Sequence, residues 1–300
     1  MRIFVTGASG WIGSAVVPEL LSSGHQVLGL ARSDTAAAAI TALGAEVHRG
    51  SIDDPDSLRA GAAASDGVVH LGYNHDFSRM EQAAHTDREA IEAIGATLEG
   101  TDRPLIVASG LVGLTPGRTS TEKDGSDPNA AHPRSANANA ALALAGRGVR
   151  ASIVRFAPTV HGAGDHGFMA TLVGIARDKG VSGYIDEGTN RWPAVHRLDA
   201  GNLVRLAVDA APAGSVLHAI AEDGVPTRAI AEAIGRGLDL PVVSIPADQA
   251  GEHFSWLAGF FGMDSPASSE LTRELLGWTP SHQGLIADLQ EGHYFQQPSH

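Results

Sequence analysis

A chain of 300 residues, 43% apolar and only 18% charged, can bury a large core. The absence of cysteine excludes a disulfide framework, a thiolate metal site and a cysteine nucleophile, and makes a reducing cytoplasm the default location. A formal charge of −13 repels nucleic acid and anionic membrane, so an anionic ligand must be held by local donors. Met1-Arg2 leads straight into a strand and no long apolar segment follows, so neither a signal peptide nor a membrane span is expected.

The first strand, near 2–6, runs into Thr6-Gly7-Ala8-Ser9-Gly10-Trp11-Ile12-Gly13 and then a helix near 12–23 closed by Gly24. This strand, turn and helix predict a dinucleotide site. Gly7 permits the tight turn, Gly10 lets backbone approach a pyrophosphate, and Gly13 lets the helix lie close on the sheet, with free N–H groups facing the phosphates. The second strand, near 26–31, ends in Ala31-Arg32-Ser33. An acidic residue there accepts from ribose hydroxyls in NAD sites, whereas a cation suits the 2′-phosphate of NADP. Arg32 offers a bidentate fork and Ser33 a hydroxyl, so NADP(H) is expected in preference to NAD(H). Asp34, in a slipped register, is the counter-argument, and a merely solvated Arg32 is the plain alternative.

An alanine-rich helix over 34–43 ends at Gly44, and a third strand near 45–48 precedes Gly50-Ser51-Ile52-Asp53. The fourth strand, near 67–71, leads into Tyr73-Asn74-His75-Asp76. The spacing of Phe77, Met80, Ala84, Ile91 and Ile94 predicts one long helix from Asp76 to about Leu98, with Asn74 or Asp76 as its cap. A fifth strand near 104–108 ends at Ser109, and the aperiodic stretch 111–134 is a loop where the active site of such a sheet lies. Strands near 151–155, 181–185 and 215–220 complete an α/β fold, a Rossmann doubly wound parallel sheet. Residues 1–156 are the expected dinucleotide-binding core, completed by the strands near 181–185 and 215–220, and 157–300 mainly a smaller substrate lobe.

The spacing TGxxGxxG, with Val68-Val69-His70-Leu71-Gly72, Ile153-Val154-Arg155-Phe156-Ala157-Pro158, Trp192-Pro193-Ala194-Val195-His196-Arg197-Leu198-Asp199 and a late Leu275-Leu276-Gly277-Trp278-Thr279-Pro280, resembles the extended and atypical branches of the short-chain dehydrogenase/reductase superfamily. The last segment is similar to the tail of sugar-nucleotide-epimerase-like members. The resemblance implies a nicotinamide dinucleotide held by Gly7, Ser9, Gly10, Trp11, Ile12, Gly13, Arg32, Ser33, Ser51, Ile52, Leu71, Gly72, Tyr73 and Pro158. Ser51 stands where the family usually has an aspartate that meets the adenine amine.

The resemblance also implies a Ser or Thr after the fifth strand and a Tyr-x-x-x-Lys pair on the next helix, the tyrosine protonating a carbonyl oxygen. Tyrosine occurs only at 73, 184 and 294 and lysine only at 123 and 179, so no such pair exists. Ser109 occupies the serine position; a strand-end serine bonding local backbone is the competing role. His132-Pro133-Arg134-Ser135 falls where the tyrosine helix should begin and resembles an atypical subgroup with a His-x-x-x-Arg pair, although Ala136 stands four residues after His132. Side chains at i and i+2 face apart, so His132 and Arg134 cannot reproduce the pair. His132 remains a candidate proton donor, with Asn137 or Asn139 toward the ribose, or else it only ends a loop. Tyr73 and His75, beside Asp76, are the other candidate donors.

His161, Asp165 and His166 hint at a metal, but glycine-rich spacing fixes no ligand geometry and hydride transfer between carbons needs none, so none is expected. Trp192 and His196 are expected to be structural. Phe168, Met169, Leu172, Phe254, Trp256, Leu257, Phe260 and Phe261 suggest an apolar pocket or a lobe core. The expected activity is an NADPH-dependent ketoreductase acting on a small to medium apolar substrate, with a proton from Ser109 and His132 or from Tyr73 and His75. Two alternatives stand beside it: an NADP(H)-binding regulatory protein without turnover, and a nucleotide-sugar epimerase or dehydratase. Paired surface helices commonly make homodimers in this superfamily, and the resemblance extends that expectation to this chain.

Overall fold

The computed structural model describes residues 1–74, 79–111, 114–115, 117–125 and 133–296. Strands and helices alternate through the first half as β1 (Arg2–Thr6), α1 (Gly13–Ser22), β2 (Gln26–Ala31), α2 (Asp34–Ala42), β3 (Glu46–Arg49), α3 (Pro55–Ala63), β4 (Gly67–His70), α4 (Met80–Leu98), β5 (Pro104–Gly110), α5 (Pro133–Ala143) and β6 (Arg150–Phe156). There follow β7 (Thr159–His161), α6 (Phe168–Lys179), β8 (Ser182–Ile185), β9 (Arg191–His196), α7 (Arg197–Ala210), β10 (Val216–Ala219), β11 (Glu222–Pro226) and α8 (Thr227–Leu238). The chain ends with β12 (Val242–Ile245), α9 (Ala250–Phe254), α10 (Ala258–Phe261), α11 (Glu270–Leu276) and α12 (Leu285–Gln290).

Local chemistry sets the element ends. Gly24 at φ +81° lets the His25 N–H reach back to Leu20 O at 3.0 Å and closes α1. Asp54 caps α3 by accepting from the Asp56 and Ser57 N–H groups, with Pro55 at the first helical position. Helix α4 buries Ala84, Ala90, Ile91, Ile94 and Leu98 as its spacing predicts, but Met80 is exposed and joins no core. Asp76 and Phe77 lie outside the described residues.

Seven parallel strands form the central sheet in the order β10-β6-β5-β4-β1-β2-β3. The strand order reverses between β1 and β4, and the crevice beyond their carboxyl ends is where an open sheet of this kind takes its ligand. Helices α1, α2 and α7 cover one face through Val16, Leu20, Ile40, Leu203 and Val204. Helices α3, α4 and α5 cover the other through Leu58, Ile91, Ile94, Ala138 and Ala141. With both faces buried, each strand needs a nearly continuous apolar run, and each large aliphatic side chain contributes about 1.5–3 kcal/mol.

One strand departs from expectation. Residues 182–185 do not extend the central sheet; β8 pairs in parallel with β12, Ser182 opposite Val242, in a separate two-stranded sheet. The position beside β6 is taken by β10, and the Ser182 hydroxyl donates to Ala231 O of α8, which holds β8 in the lobe. A second small sheet, β11-β9-β7, packs with α6, α8, α9, α10 and α12 around Trp192, Phe254, Phe261, Ile230 and Leu289. Among the described residues no helix is long and apolar enough to cross a membrane.

Candidate active site

At the end of β1 the backbone turns at Gly7, φ +69°, where a Cβ would lie 2.8 Å from Gly72 N and 2.9 Å from Leu71 C. The turn therefore rests directly on the backbone that leaves β4. At Gly13 a Cβ would sit 2.1 Å from Gly7 O, so the turn's own closure requires glycine. At Gly10 a Cβ would meet only Gly7 O, at 3.1 Å, and Ser9 and Gly10 face solvent. The Trp11 and Ile12 N–H groups make no hydrogen bond among the described residues. An open glycine cradle with unused donors at a helix start fits a pyrophosphate.

Beside this turn lie the ends of β2 and β3. Arg32 is exposed, with no hydrogen bond among the described residues. Ser33 caps α2 by accepting from Ala36 N–H at 3.2 Å, which leaves the hydroxyl proton to donate. Asp34 is held by Arg49 at 2.6 Å. Ser51 donates to Asp53 Oδ2 at 3.1 Å and accepts from Asp53 N–H at 3.3 Å. Ile52 packs on Gly72, where a Cβ would come within 3.0 Å of its Cγ2.

Two polar networks line one face at the carboxyl ends of the strands. In the first, Thr6 Oγ1 accepts from Gly72 N–H at 3.0 Å and so donates to His70 Nδ1 at 2.8 Å. His70 Nε2 then donates to Asp87 Oδ1 at 3.2 Å, and Asp87 Oδ2 accepts from Asn137 Nδ2 at 2.7 Å. All four side chains are buried. Asn137 also donates to Ala84 O at 2.8 Å, so its amide locks α5 to α4 and is not turned toward a ribose, contrary to expectation.

The second network runs across β5, β6 and β10, where Ser109, Arg155 and His218 stand in register. Arg155 Nη1 donates to Asp124 O at 2.8 Å and to His218 Nε2 at 3.3 Å, while His218 Nδ1 donates to Ser268 O at 2.7 Å. Burial pulls the Arg155 guanidinium below its ordinary pKa and pushes His218 down to about 4, keeping the imidazole neutral. Glu122 Oε1 accepts from both N and Oγ1 of Thr272, at 2.7 and 2.6 Å, and Arg118 holds the Asp124 carboxyl well below the usual range. Glu122 and Asp124, after β5, are thus fastened to α11 and β6. Ser109, only 5% exposed, makes no hydrogen bond among the described residues. Tyr73 lies half-buried just after Gly72, whereas His75 and His132 lie outside the described residues.

The C-terminal lobe reaches the turn through Trp11. Its Nε1 donates to Val160 O at 2.7 Å, Arg197 lies over the ring at 4.6 Å, and His166 meets it edge-on at 5.6 Å. Half-buried Pro158 begins this connection. Tyr294 pins the loop 162–167: its hydroxyl accepts from Gly162 N–H at 3.2 Å and donates to Asp165 Oδ2 at 2.9 Å. Burial raises the pKa of both Tyr294 and Asp165, so each stays protonated more readily than usual. His161 pairs with Asp288 at 2.9 Å, and His282 pairs with Asp199 at 2.8 Å. His196 caps α7 and stacks on His282, with burial pushing it down to about 4. Among the described residues no three His, Asp or Glu side chains converge as a metal site.

The eight apolar lobe residues divide. Met169, Leu172, Phe254, Leu257 and Phe261 are core, whereas Phe168, Trp256 and Phe260 are partly exposed, with ring centroids 5.8–6.4 Å apart. Phe168 follows the loop that carries His166 to Trp11, so these rings lie beyond the turn on the lobe side. Sequence reading missed Asp87, Glu122, Arg49 and Tyr294. Arg155, a cation inside an apolar strand, was the available sign of a buried polar partner set.

The sequence profile of the NAD dependent epimerase/dehydratase family matches residues 3–219. An uncharacterized protein of Schizosaccharomyces pombe is 48% identical over 98% of this chain and 100% of its own. A 4-hydroxy-2-methyl-3-oxo-4-farnesyl-3,4-dihydroquinoline-1-oxide ketoreductase of Stigmatella aurantiaca is 27% identical over 76% of this chain and 70% of its own. A dTDP-glucose 4,6-dehydratase of Streptomyces venezuelae, solved with NAD, shares the fold with a TM-score of 0.76 at 18% identity, covering 97% of this chain and 96% of that one. The chain belongs to the NAD-dependent epimerase/dehydratase family, and that family binds a nicotinamide dinucleotide.

Proposed function

We propose that this family member is an NADPH-dependent reductase of a carbonyl group carried by a small to medium apolar substrate. The observation that carries the reading is Ser109: a hydroxyl at the carboxyl edge of the sheet, in register with Arg155, with no hydrogen bond among the described residues. A hydroxyl without a protein partner at this place is available to a ligand's oxygen. The exposed Arg32 and the unused proton of Ser33 suit a 2′-phosphate. Phe168, Trp256 and Phe260 suit an apolar substrate, and the name of the Stigmatella relative agrees with carbonyl chemistry on one.

When bound, NADPH supplies a hydride to the carbonyl carbon. The chain's own work is to hold the turn open at Gly10, to exclude water, and to present a donor to the carbonyl oxygen. Ser109 is that donor, and its proton is replaced through Tyr73 and the sequence candidates His75 and His132. The test is NADPH oxidation measured against aryl ketones, long-chain ketones and quinones. Wild type should reduce at least one class, and Ser109→Ala should lose roughly 100-fold in kcat with an unchanged Kd for NADPH. NADPH binding without any carbonyl reduction would overturn the reading in favour of a regulatory role, and interconversion of a sugar nucleotide would overturn it in favour of epimerase chemistry.

A further inference from the structure

Arg49 closes β3 directly opposite Ala31, the residue before Arg32, and Gly50 N–H donates to Ala31 O at 3.2 Å, stitching the two strand ends together. The side chain reaches Asp34, in the first turn of α2, through one hydrogen bond from Nη2 at 2.6 Å. Its other guanidinium N–H groups have no partner among the described residues. The pair is solvent-exposed, with 56% of the Arg49 side chain and 98% of the Asp34 side chain accessible, so it is weak and readily rearranged. Arg32 and Arg49 therefore bracket the start of α2, and Ser33 between them keeps a proton to donate.

We infer that Arg49 is the second ligand of a phosphomonoester dianion, the 2′-phosphate of NADPH, and that Asp34 is the latch on which this arginine rests. This rests on the NADPH reading above. A doubly charged phosphate presents three acceptor oxygens, which a carboxylate cannot match, so it draws the free edge of Arg49 while the bonded edge keeps the Asp34 charge neutralised. Without Arg49, Asp34 would repel the phosphate. Arg49 thus supplies attraction and removes a repulsion, and both effects select against NADH.

The test is calorimetric titration of the full chain and its Arg49→Ala, Arg32→Ala and Asp34→Asn variants with NADPH, NADH, adenosine 2′,5′-bisphosphate and 5′-AMP. Wild type should bind the bisphosphate at least about 30-fold more tightly than 5′-AMP. Arg49→Ala should weaken NADPH and the bisphosphate by about tenfold and leave NADH and 5′-AMP within about twofold, with an unchanged melting temperature. Asp34→Asn should tighten NADPH several-fold. An unchanged NADPH Kd in Arg49→Ala, with Arg32→Ala impaired, would overturn the role of Arg49 alone. Weaker NADH binding in Asp34→Asn would overturn the latch, because the carboxylate would then be a ribose ligand. Equal wild-type affinity for bisphosphate and 5′-AMP would overturn the NADPH reading beneath it.

Discussion

The three glycines of the turn should separate folding from binding. A Cβ at Gly13 would lie 2.1 Å from Gly7 O and 2.9 Å from Ala8 backbone atoms, none of which can swing away as a side-chain tip would. Overpacking against fixed atoms costs about 1–3 kcal/mol, and here we expect about 3 kcal/mol for Gly13→Ala. At roughly 2.1 cal/mol/K of unfolding entropy per residue, that lowers Tm by about 5 °C for a chain this long. Gly10 has a negative φ and meets only Gly7 O at 3.1 Å, so Gly10→Ala crowds one atom while removing about 0.4–1 kcal/mol of unfolded-state freedom. Its stability should stay within about 1 kcal/mol of wild type. The new methyl instead stands where phosphate must approach the backbone, and losing one or two charge-assisted hydrogen bonds weakens dinucleotide binding by roughly 10- to 100-fold. Thermal unfolding and a tryptophan-fluorescence titration, with Trp11 as the neighbouring reporter, read the two effects separately. A Gly13→Ala protein as stable as wild type, or a Gly10→Ala protein that binds as tightly, would refute this assignment of roles.

Three further outcomes are expected. Asp87→Ala leaves the His70 and Asn137 donors buried without their acceptor and should cost about 3 kcal/mol in urea unfolding, with Asp87→Asn milder. His218, whose pKa falls from 6.5 unfolded to about 4 folded, binds more protons when unfolded; the stability it contributes is complete above pH 6.5 and is lost as pH falls toward 4, by roughly 3 kcal/mol. His218→Gln should flatten that part of the stability–pH curve measured by denaturant titration. Tyr294→Phe removes the hydroxyl joining Gly162 to Asp165 and should accelerate hydrogen exchange in residues 162–167 while leaving β1 and β5 protected.

What could be read from the sequence was local. The turn at Gly7 and the exposed Arg32 after β2 follow from short-range rules: a strand, a tight turn, a helix, and a cation at a fixed place after the next strand. Long-range pairing was not legible. Residues 181–185 read as a strand of the central sheet because a short apolar run carries no sign of its partner, and only the packing of α8 and β12 assigns β8 to the lobe. Asn137 looked like a ribose ligand because nothing nearby in sequence announces Asp87, 50 residues earlier. Tyr294 reaches Asp165 across 129 residues, a contact no periodicity encodes. The tightest constraint on Gly13 comes from a carbonyl six residues before it, which the spacing of the glycines does not announce.

The most direct test of the central claim is isotopic. The chain would be incubated with NADPH carrying two deuterium atoms at C4 of the nicotinamide and with the best ketone from the substrate panel, and the alcohol product analysed by mass spectrometry and NMR. The account predicts one deuterium at the carbinol carbon for each NADPH consumed, with the same label arriving far more slowly in Ser109→Ala. Product without deuterium, or a sugar nucleotide inverted with no net consumption of NADPH, would contradict it.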